Sequence, residues 1–257
     1  MNDDVQRTLH LVATIAAVGT LVGSVELLSH LRRFLQAGLL GRAERSLEPS
    51  RVDVLTYVPL IYASLVSRLG ASVVLLWWGG QVSALPCLLI FVSSVHLFLV
   101  NPYGQTAAEQ FTIILFGGLS VAYASQSEFG RVTALWFIAA QCAICYAANG
   151  VHKLRSSVWR GGLAMQTIMA TVMFGDRRCA NLLARLPKAA SFLCWCVIGW
   201  EVLFPLALLT PTAGLVFVSI GVAFHLATAV TMRLNNFLWA FPAAYPAVMF
   251  CGRQLHA

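Results

Sequence analysis

Residues 9–28 read LHLVATIAAVGTLVGSVELL, a run of 20 residues in which most side chains are apolar. At 1.5 Å per residue, an α-helix of this length is about 30 Å long, which matches the hydrocarbon thickness of a bilayer. The run is also longer than the apolar core of a secretory signal peptide, which has about 7–15 residues. The sequence therefore predicts a retained transmembrane helix at this position.

Seven further apolar runs of similar length follow along the chain. We expect spans at 8–29, 54–78, 83–100, 107–124, 132–154, 190–209, 212–231 and 236–251. The composition agrees, because only 11% of the residues are charged, against about 25% in a soluble domain. The predicted fold class is therefore all-α. We expect a polytopic membrane helix bundle of about eight spans, forming one transmembrane domain over residues 1–257 with no soluble domain.

Basic residues concentrate in the connections on one side of the predicted bundle. The odd-numbered loops hold 13 Lys and Arg residues, whereas the other side holds Arg7, Arg131 and Arg253. Since Lys and Arg stay on the cytoplasmic side, we expect the odd-numbered loops and the Lys153 end of span five to face the cytoplasm of a bacterial cell. The loop near 155–188 mixes apolar residues with Arg and predicts an interfacial helix and loop. The net charge of +7 thus indicates topology, and no nucleic-acid partner is predicted.

Span five ends in several polar side chains. On a helix, one stripe presents Tyr146, Asn149, His152 and Lys153. An ionisable group at membrane depth costs about 2.5–3.5 kcal/mol, so each one calls for an explanation. A lysine in apolar surroundings loses its charge readily, and its neutral amine then accepts a proton. The alternative is a structural lysine whose amine extends to the interface, and these residues alone leave both interpretations open.

Two more ionisable residues lie in the middle of predicted spans. Glu201 is too far from any loop to reach water, so we expect it to be protonated or paired, either as a brace between helices or as a catalytic group. Pro205 frees the carbonyl of Glu201 and predicts a kink. For His225 we expect one of three roles: a hydrogen bond between helices, orientation of a substrate, or relay of a proton. Because no second ligand stands at metal spacing from His225, no metal site is predicted.

The remaining polar positions have mainly structural interpretations. Glu26 lies at the end of span one, and Asn101 and Glu109 flank the break between spans three and four. Cys142 and Cys145 form a C-x-x-C inside an apolar helix, whereas redox pairs of this spacing lie at a helix N-terminus. We therefore expect these cysteines to pack as small residues.

In their order along the chain, these positions resemble the HTTM family, whose best-known relative is the vitamin K-dependent γ-glutamyl carboxylase. Four segments carry the likeness: Asn101-Pro-Tyr-Gly104; the run from Tyr146 to Gly162 with Lys153-Leu154, Trp159 and Gly161-Gly162; Glu201-Val-Leu-Phe-Pro205; and Phe224-His225 followed by Asn236-Phe-Leu-Trp-Ala-Phe-Pro242. The likeness extends over roughly residues 8–250. It implies that Lys153 is a base that activates a reduced quinone, and that Glu201 and His225 line the same cavity.

The resemblance and the residues together define the predicted site. The expected catalytic residues are Lys153, His152, His225 and Glu201. The expected substrate-binding residues are Asn149, Tyr146, Asn101, Arg160, Arg177, Arg178 and Asn236. The carboxylase has a large lumenal domain that recognises its protein substrate, and no such domain is expected here. Chemistry on a lipophilic quinone or isoprenoid is therefore expected in place of carboxylation of a protein glutamate.

Three functions stay open from the sequence. The first is an enzyme that uses Lys153 as a base on a lipophilic ring, with a reduced quinone as its cofactor. The second is a membrane terpene cyclase, whose diphosphate substrate would bind Mg²⁺ and the interfacial arginines, although no acidic magnesium cluster is evident. The third is a non-catalytic protein of peptide maturation or immunity, with buried polar groups holding the helices together. Membrane lipid and, for the enzymes, a lipophilic small molecule are the expected partners.

Overall fold

The computed structural model describes residues 2–36, 58–77, 83–101, 106–172 and 174–256. Within these ranges the chain forms helices and turns and no strand, so the predicted all-α fold is confirmed. The α-helices are α1 (Asn2–Gln36), α2 (Val58–Trp77), α3 (Ala84–Val100), α4 (Ala107–Ala124), α5 (Glu128–Arg155), α6 (Ser157–Arg160), α7 (Ala164–Met169), α8 (Arg177–Arg185), α9 (Pro187–Leu203), α10 (Pro211–Met232) and α11 (Asn235–Gln254). A 3₁₀ segment, Phe204–Leu208, joins α9 to α10.

A helix occupies each of the eight predicted spans, and six helices are long and apolar enough to cross a membrane. These lie at Asp3–Arg33, Val58–Trp77, Ala107–Ala124, Glu128–Arg155, Pro187–Leu208 and Pro211–Met232. Such a set belongs to a multi-pass membrane protein. Of the other two helices, α3 is apolar but only 17 residues long. The last, α11, opens on two asparagines and contains two prolines, which make it less apolar.

Some predicted features lie outside the described residues. They are the first residues of span two (54–57), the basic residues Arg42, Arg45 and Arg51, and Pro102–Gly104 of the break between spans three and four. Which side of the membrane each loop occupies stays a prediction.

The start of α4 shows that Glu109 has a structural role, as expected. Its carboxylate Oε2 accepts a hydrogen bond from the backbone nitrogen of Thr106 at 2.7 Å, and the Thr106 hydroxyl accepts one from the backbone nitrogen of Glu109 at 3.4 Å. This reciprocal capping box satisfies two amide groups that have no partner within the helix.

Three short helices, α6, α7 and α8, occupy the connection predicted to be interfacial. Asp176 is the N-cap residue of helix α8, and its carboxylate accepts a hydrogen bond from the backbone nitrogen of Cys179 at 2.9 Å. This hydrogen bond lowers the pKa of Asp176 below its ordinary value, because it favours the ionised carboxylate. The helix exposes its three arginines, Arg177, Arg178 and Arg185, together with Leu182, which is the composition of a surface-lying helix. Its position on a membrane stays a prediction.

The chain divides into two compact units. The first comprises Met1–Leu135 and Trp239–Pro246, and the second comprises Trp136–Leu238 and Ala247–Ala257. In the first unit α1 packs on α2, α2 on α3 and α3 on α4. Part of its core consists of Leu31, Ile61, Leu65, Leu97 and Val100. In the second unit α9 packs against α6, α7 and α8, and the 3₁₀ segment packs against α10.

Candidate active site

The second unit contains a close approach between α5 and α9, at Gly150. A Cβ atom at this position would lie 2.6 Å from the backbone nitrogen of Val202 and 2.9 Å from the carbonyl carbon of Glu201. No larger side chain fits there without moving one of the helices, because packed interiors have no spare room at such distances. The glycine therefore allows α5 to bring Tyr146 and Lys153, which lie one turn away on either side, onto α9.

Lys153 forms an ion pair with Glu201 across this contact. The Lys153 Nζ atom lies 2.5 Å from each carboxylate oxygen of Glu201. The two side chains differ in exposure, which is 20% for Lys153 and 5% for Glu201. The Nζ atom also lies 5.1 Å from the centroid of the Trp159 ring, within the range of a cation–π interaction. Glu201 is therefore paired in the structure. The sequence had left open whether this residue is protonated or paired.

The backbone around Glu201 differs in one detail from the sequence prediction. Pro205 has no N–H group for the carbonyl of Glu201, and α9 ends at Leu203 as a 3₁₀ segment begins. The carbonyl is nevertheless satisfied, because the backbone N–H of Phe204 donates to it. The regular α-helix therefore ends close to Pro205, and the carbonyl of Glu201 is not left free. The kink itself stays a prediction.

The short contacts of Lys153 make proton transfer the chemistry that this pair supports. Removal from water disfavours charged groups, and two charges in an apolar interior require close pairing. Transfer of the shared proton from Nζ to a carboxylate oxygen gives a neutral amine and a carboxylic acid. Moving this one proton would therefore convert the pair from a charged to an uncharged state.

A second hydrogen-bonded pair lies on the same face of α5, about 10 Å along the helix axis from Lys153. The hydroxyl of Tyr146 lies 2.6 Å from Nε2 of His225, and both residues are buried. The Tyr146 ring packs at centroid distances of 4.8 Å from Trp200 and 4.2 Å from Phe204. His225 also packs on Phe237. This region of the second unit is thus aromatic, with a phenol and an imidazole as its polar groups.

Two members of the predicted stripe on α5 are not brought to the ion pair. Asn149 and His152 are both exposed. The amide of Asn149 donates to the carbonyl of Cys145 on its own helix, at 2.9 Å. A rotation of about 100° around the helix separates His152 from Lys153, so the two side chains leave the helix on different faces.

The other predicted substrate ligands lie at the surface or in the first unit. Four of these residues are exposed: Arg160 on α6, Arg177 and Arg178 on α8, and Asn236 in the first turn of α11. Asn101 belongs to the first unit and is partly buried after α3. Their roles as substrate ligands stay predictions. Among the described residues, no three His, Cys, Asp or Glu side chains lie close enough together to hold a metal ion.

No family model, curated protein or solved structure matches this chain. The likeness to the HTTM family, and the residue roles that it implies, therefore stay predictions. The sequence analysis did not single out Gly150, although a small residue within the polar stripe of a membrane helix is a signal of close helix approach.

Proposed function

We propose that this protein is a membrane enzyme in which Lys153 and Glu201 transfer a proton to and from a lipophilic substrate of quinone or isoprenoid type. The observation that carries the proposal is the contact of Lys153 Nζ with both oxygens of a buried carboxylate, at 2.5 Å each. Lys153 is the more exposed member of the pair. The amine is therefore the group that a substrate reaches, and the carboxylate is the shielded group.

In this proposal Glu201 holds the proton that Lys153 gives up. The neutral amine then accepts a proton from an acidic O–H or C–H group of the substrate, and Nζ becomes an ammonium group again. Return of either proton to the product restores the pair. The chemistry needs an amine that deprotonates, and Lys meets this requirement whereas the guanidinium of Arg does not.

The aromatic surroundings support a flat, lipophilic substrate. The Trp159 ring lies beside the amine, and Tyr146 lies among Trp200 and Phe204 further along α5. Aromatic faces and a few polar groups are typical of sites for hydrophobic ligands. The resemblance to the HTTM family adds a reduced quinone as the preferred class, because the hydroxyl of such a ring is a proton donor for Lys153.

A terpene cyclase is the second candidate. The observation in its favour is that Arg160, Arg177 and Arg178 are all exposed on short helices, where a diphosphate group at the membrane interface would reach them. Membranes containing the protein, incubated with prenyl diphosphates and Mg²⁺, would then yield a cyclised hydrocarbon. Absence of any cyclised product would count against this candidate.

The main test compares two lysines, because the chain has only Lys153 and Lys188. Lys188 is exposed near the start of α9 and gives a matched control. Cells expressing the wild type, Lys153→Ala, Lys153→Arg, Glu201→Gln or Lys188→Ala are compared by untargeted mass spectrometry of lipid and peptide extracts. We expect a product that is lost in both Lys153 variants, reduced in Glu201→Gln and retained in Lys188→Ala. If folded Lys153→Ala gives the same extracts as the wild type, the protein is non-catalytic and the pair is a brace between helices.

A further inference from the structure

A second cation lies within a membrane-spanning helix, in the first unit. Arg68 is the eleventh residue of α2, which is 20 residues long. An arginine at this depth is costly and is retained where it has a function or a specific partner. Arg68 has no part in the proposed chemistry of Lys153 and Glu201, so it requires its own explanation.

A hydroxyl group of α1 holds the guanidinium group, and a hydroxyl of α2 holds the backbone carbonyl of the same residue. The Nε atom of Arg68 donates to the hydroxyl of Ser24 at 2.8 Å. The Ser24 hydroxyl in turn donates to the carbonyl of Thr20. One turn after Arg68, the Ser72 hydroxyl lies 3.0 Å from the Thr20 hydroxyl and donates to the carbonyl of Arg68 at 2.8 Å. Since Ser24 and Ser72 are buried, the arginine is held in one orientation.

The polar layer continues along the same face of α2. Ser64 and Ser72 lie one turn before and one turn after Arg68, so all three share a stripe. The hydroxyl of Ser64 lies 2.8 Å from Nδ1 of His96 on α3. Three helices of the first unit therefore place hydrogen-bonding groups on both sides of Arg68. Such hydroxyl and imidazole contacts join neighbouring membrane helices, so they fix the helices around the arginine.

The two terminal nitrogens of the guanidinium group differ from Nε in their partners. Neither of its two terminal nitrogens has a hydrogen-bond acceptor among the residues that the structure describes, where Nε is the one bonded nitrogen. Glu109 interacts with Arg68 electrostatically, but no described carboxylate lies within ion-pair distance of it. The Glu109 carboxylate is instead held by the backbone nitrogen and the hydroxyl of Thr106, at 2.7 and 3.0 Å.

We propose that Arg68 is the anchor of an anion-binding site in the first unit, which takes the oxyanionic head of an amphiphile, a phosphate or a carboxylate. The guanidinium group presents two parallel N–H donors that match two oxygens of such a head. The depth of Arg68 in an apolar helix requires that the rest of the ligand be apolar. The charge of Arg68 is permanent, so the site binds its ligand and takes no part in proton transfer.

The proposal is tested by lipid binding to the purified full chain in a neutral detergent. The probes are phosphatidylglycerol, phosphatidylcholine as the neutral control lipid, palmitate and inorganic phosphate, with binding measured by native mass spectrometry and by the shift in Tm. We expect phosphatidylglycerol or palmitate to bind and to raise the Tm, and phosphatidylcholine to do neither. Competition by inorganic phosphate would identify the phosphate group alone as the ligand, whereas its failure to compete would show that the apolar chain is required.

Variants separate the site from unspecific lipid binding. Arg68→Gln is expected to weaken binding of the anionic lipid at least tenfold, and Arg68→Lys is expected to weaken it less, because the charge is kept and the fork is lost. The matched control is Arg7→Gln, since Arg7 is exposed. If Arg68→Gln does not fold, Ser24→Ala decides the question, because it keeps the charge and removes the group that orients it. Equal binding by the wild type and a folded Arg68→Gln or Ser24→Ala variant, or no binding of any anionic probe, would overturn the proposal.

Discussion

The two members of the Lys153–Glu201 pair differ in exposure, and their removal is predicted to have unequal costs. Lys153→Met keeps the length of the side chain but leaves the carboxylate of Glu201, which is only 5% exposed, without its cation. Removing one partner of a buried ion pair costs about 3–5 kcal/mol. Because Lys153 is itself 20% exposed, water screens part of the interaction. We therefore expect a loss of about 3 kcal/mol in the free energy of unfolding.

The reverse change is expected to be milder. Glu201→Gln leaves a lysine that can turn toward water or toward the Trp159 ring, and the new amide oxygen still accepts a hydrogen bond. We expect a loss of about 1 kcal/mol, the typical contribution of one hydrogen bond. The double variant has no uncompensated buried charge, so it is expected to lose about 2 kcal/mol, less than the sum of the single losses.

The measurement is equilibrium unfolding in mixed micelles, with tryptophan fluorescence followed as an anionic detergent is titrated in. Lys188→Met is the control, and a change within about 0.5 kcal/mol is expected for such an exposed residue. Equal losses in the two single variants, or a double variant equal to their sum, would show that the amine does not hold the carboxylate. The acid–base proposal would then lose its structural basis.

Three further predictions concern the same unit. Gly150→Ala is expected to destabilise the protein by about 1–3 kcal/mol through overpacking, whereas Gly199→Ala, with open space around the added carbon, is expected to be neutral or stabilising in the same unfolding assay. Tyr146→Phe removes the hydroxyl that bonds His225 and is expected to cost about 1–3 kcal/mol in thermal unfolding; no loss would refute a buried hydrogen bond. The pKa of Asp176 is lowered in the folded state, so its contribution to α8 is present above its ordinary pKa and is lost as the pH falls below about 4. Hydrogen exchange of α8 should show this loss in the wild type and not in Asp176→Asn, since Asn caps a helix equally well without titrating.

The helices were predictable because a bilayer imposes a minimum length on each apolar segment. The run at 9–28 needs only its composition to identify a spanning helix, and helices occur at all eight predicted positions. The hydropathy of the sequence did not predict the first and last residue of each helix, because helix ends depend on local hydrogen bonds. Examples are the capping box of Thr106 and Glu109 and the 3₁₀ segment after Leu203. Both depend on hydrogen bonds of single backbone groups, which the mean hydropathy of a 20-residue window does not reflect.

The sequence predicted that a charged group in the middle of a span is costly, but it did not predict which residue pairs with it. A mid-span carboxylate had to be neutral or paired, which singled out Glu201 from the sequence alone. Its partner is 48 residues away in the chain, and only the packing of α5 on α9 at Gly150 brings the two together. The same packing explains why Asn149 and His152 do not reach the ion pair, since adjacency along a helix does not place two side chains on one contact face. Their predicted roles in binding and catalysis stay predictions.

Lys153 and Arg68 are compensated by different groups, and this difference separates their proposed roles. Lys153 meets a carboxylate, which can take its proton and leave both groups neutral. Arg68 donates a hydrogen bond to the hydroxyl of Ser24, which orients the guanidinium group and does not take its proton. A guanidinium keeps its charge near neutral pH, whereas a lysine amine can lose it. An amine beside an acid is therefore suited to moving protons, and an oriented arginine beside hydroxyl groups is suited to binding an anion. Exchanging the residues tests this reasoning: Lys153→Arg should preserve the fold through its pairing with Glu201 yet abolish turnover, while Arg68→Lys should weaken anion binding and leave turnover at Lys153 unchanged.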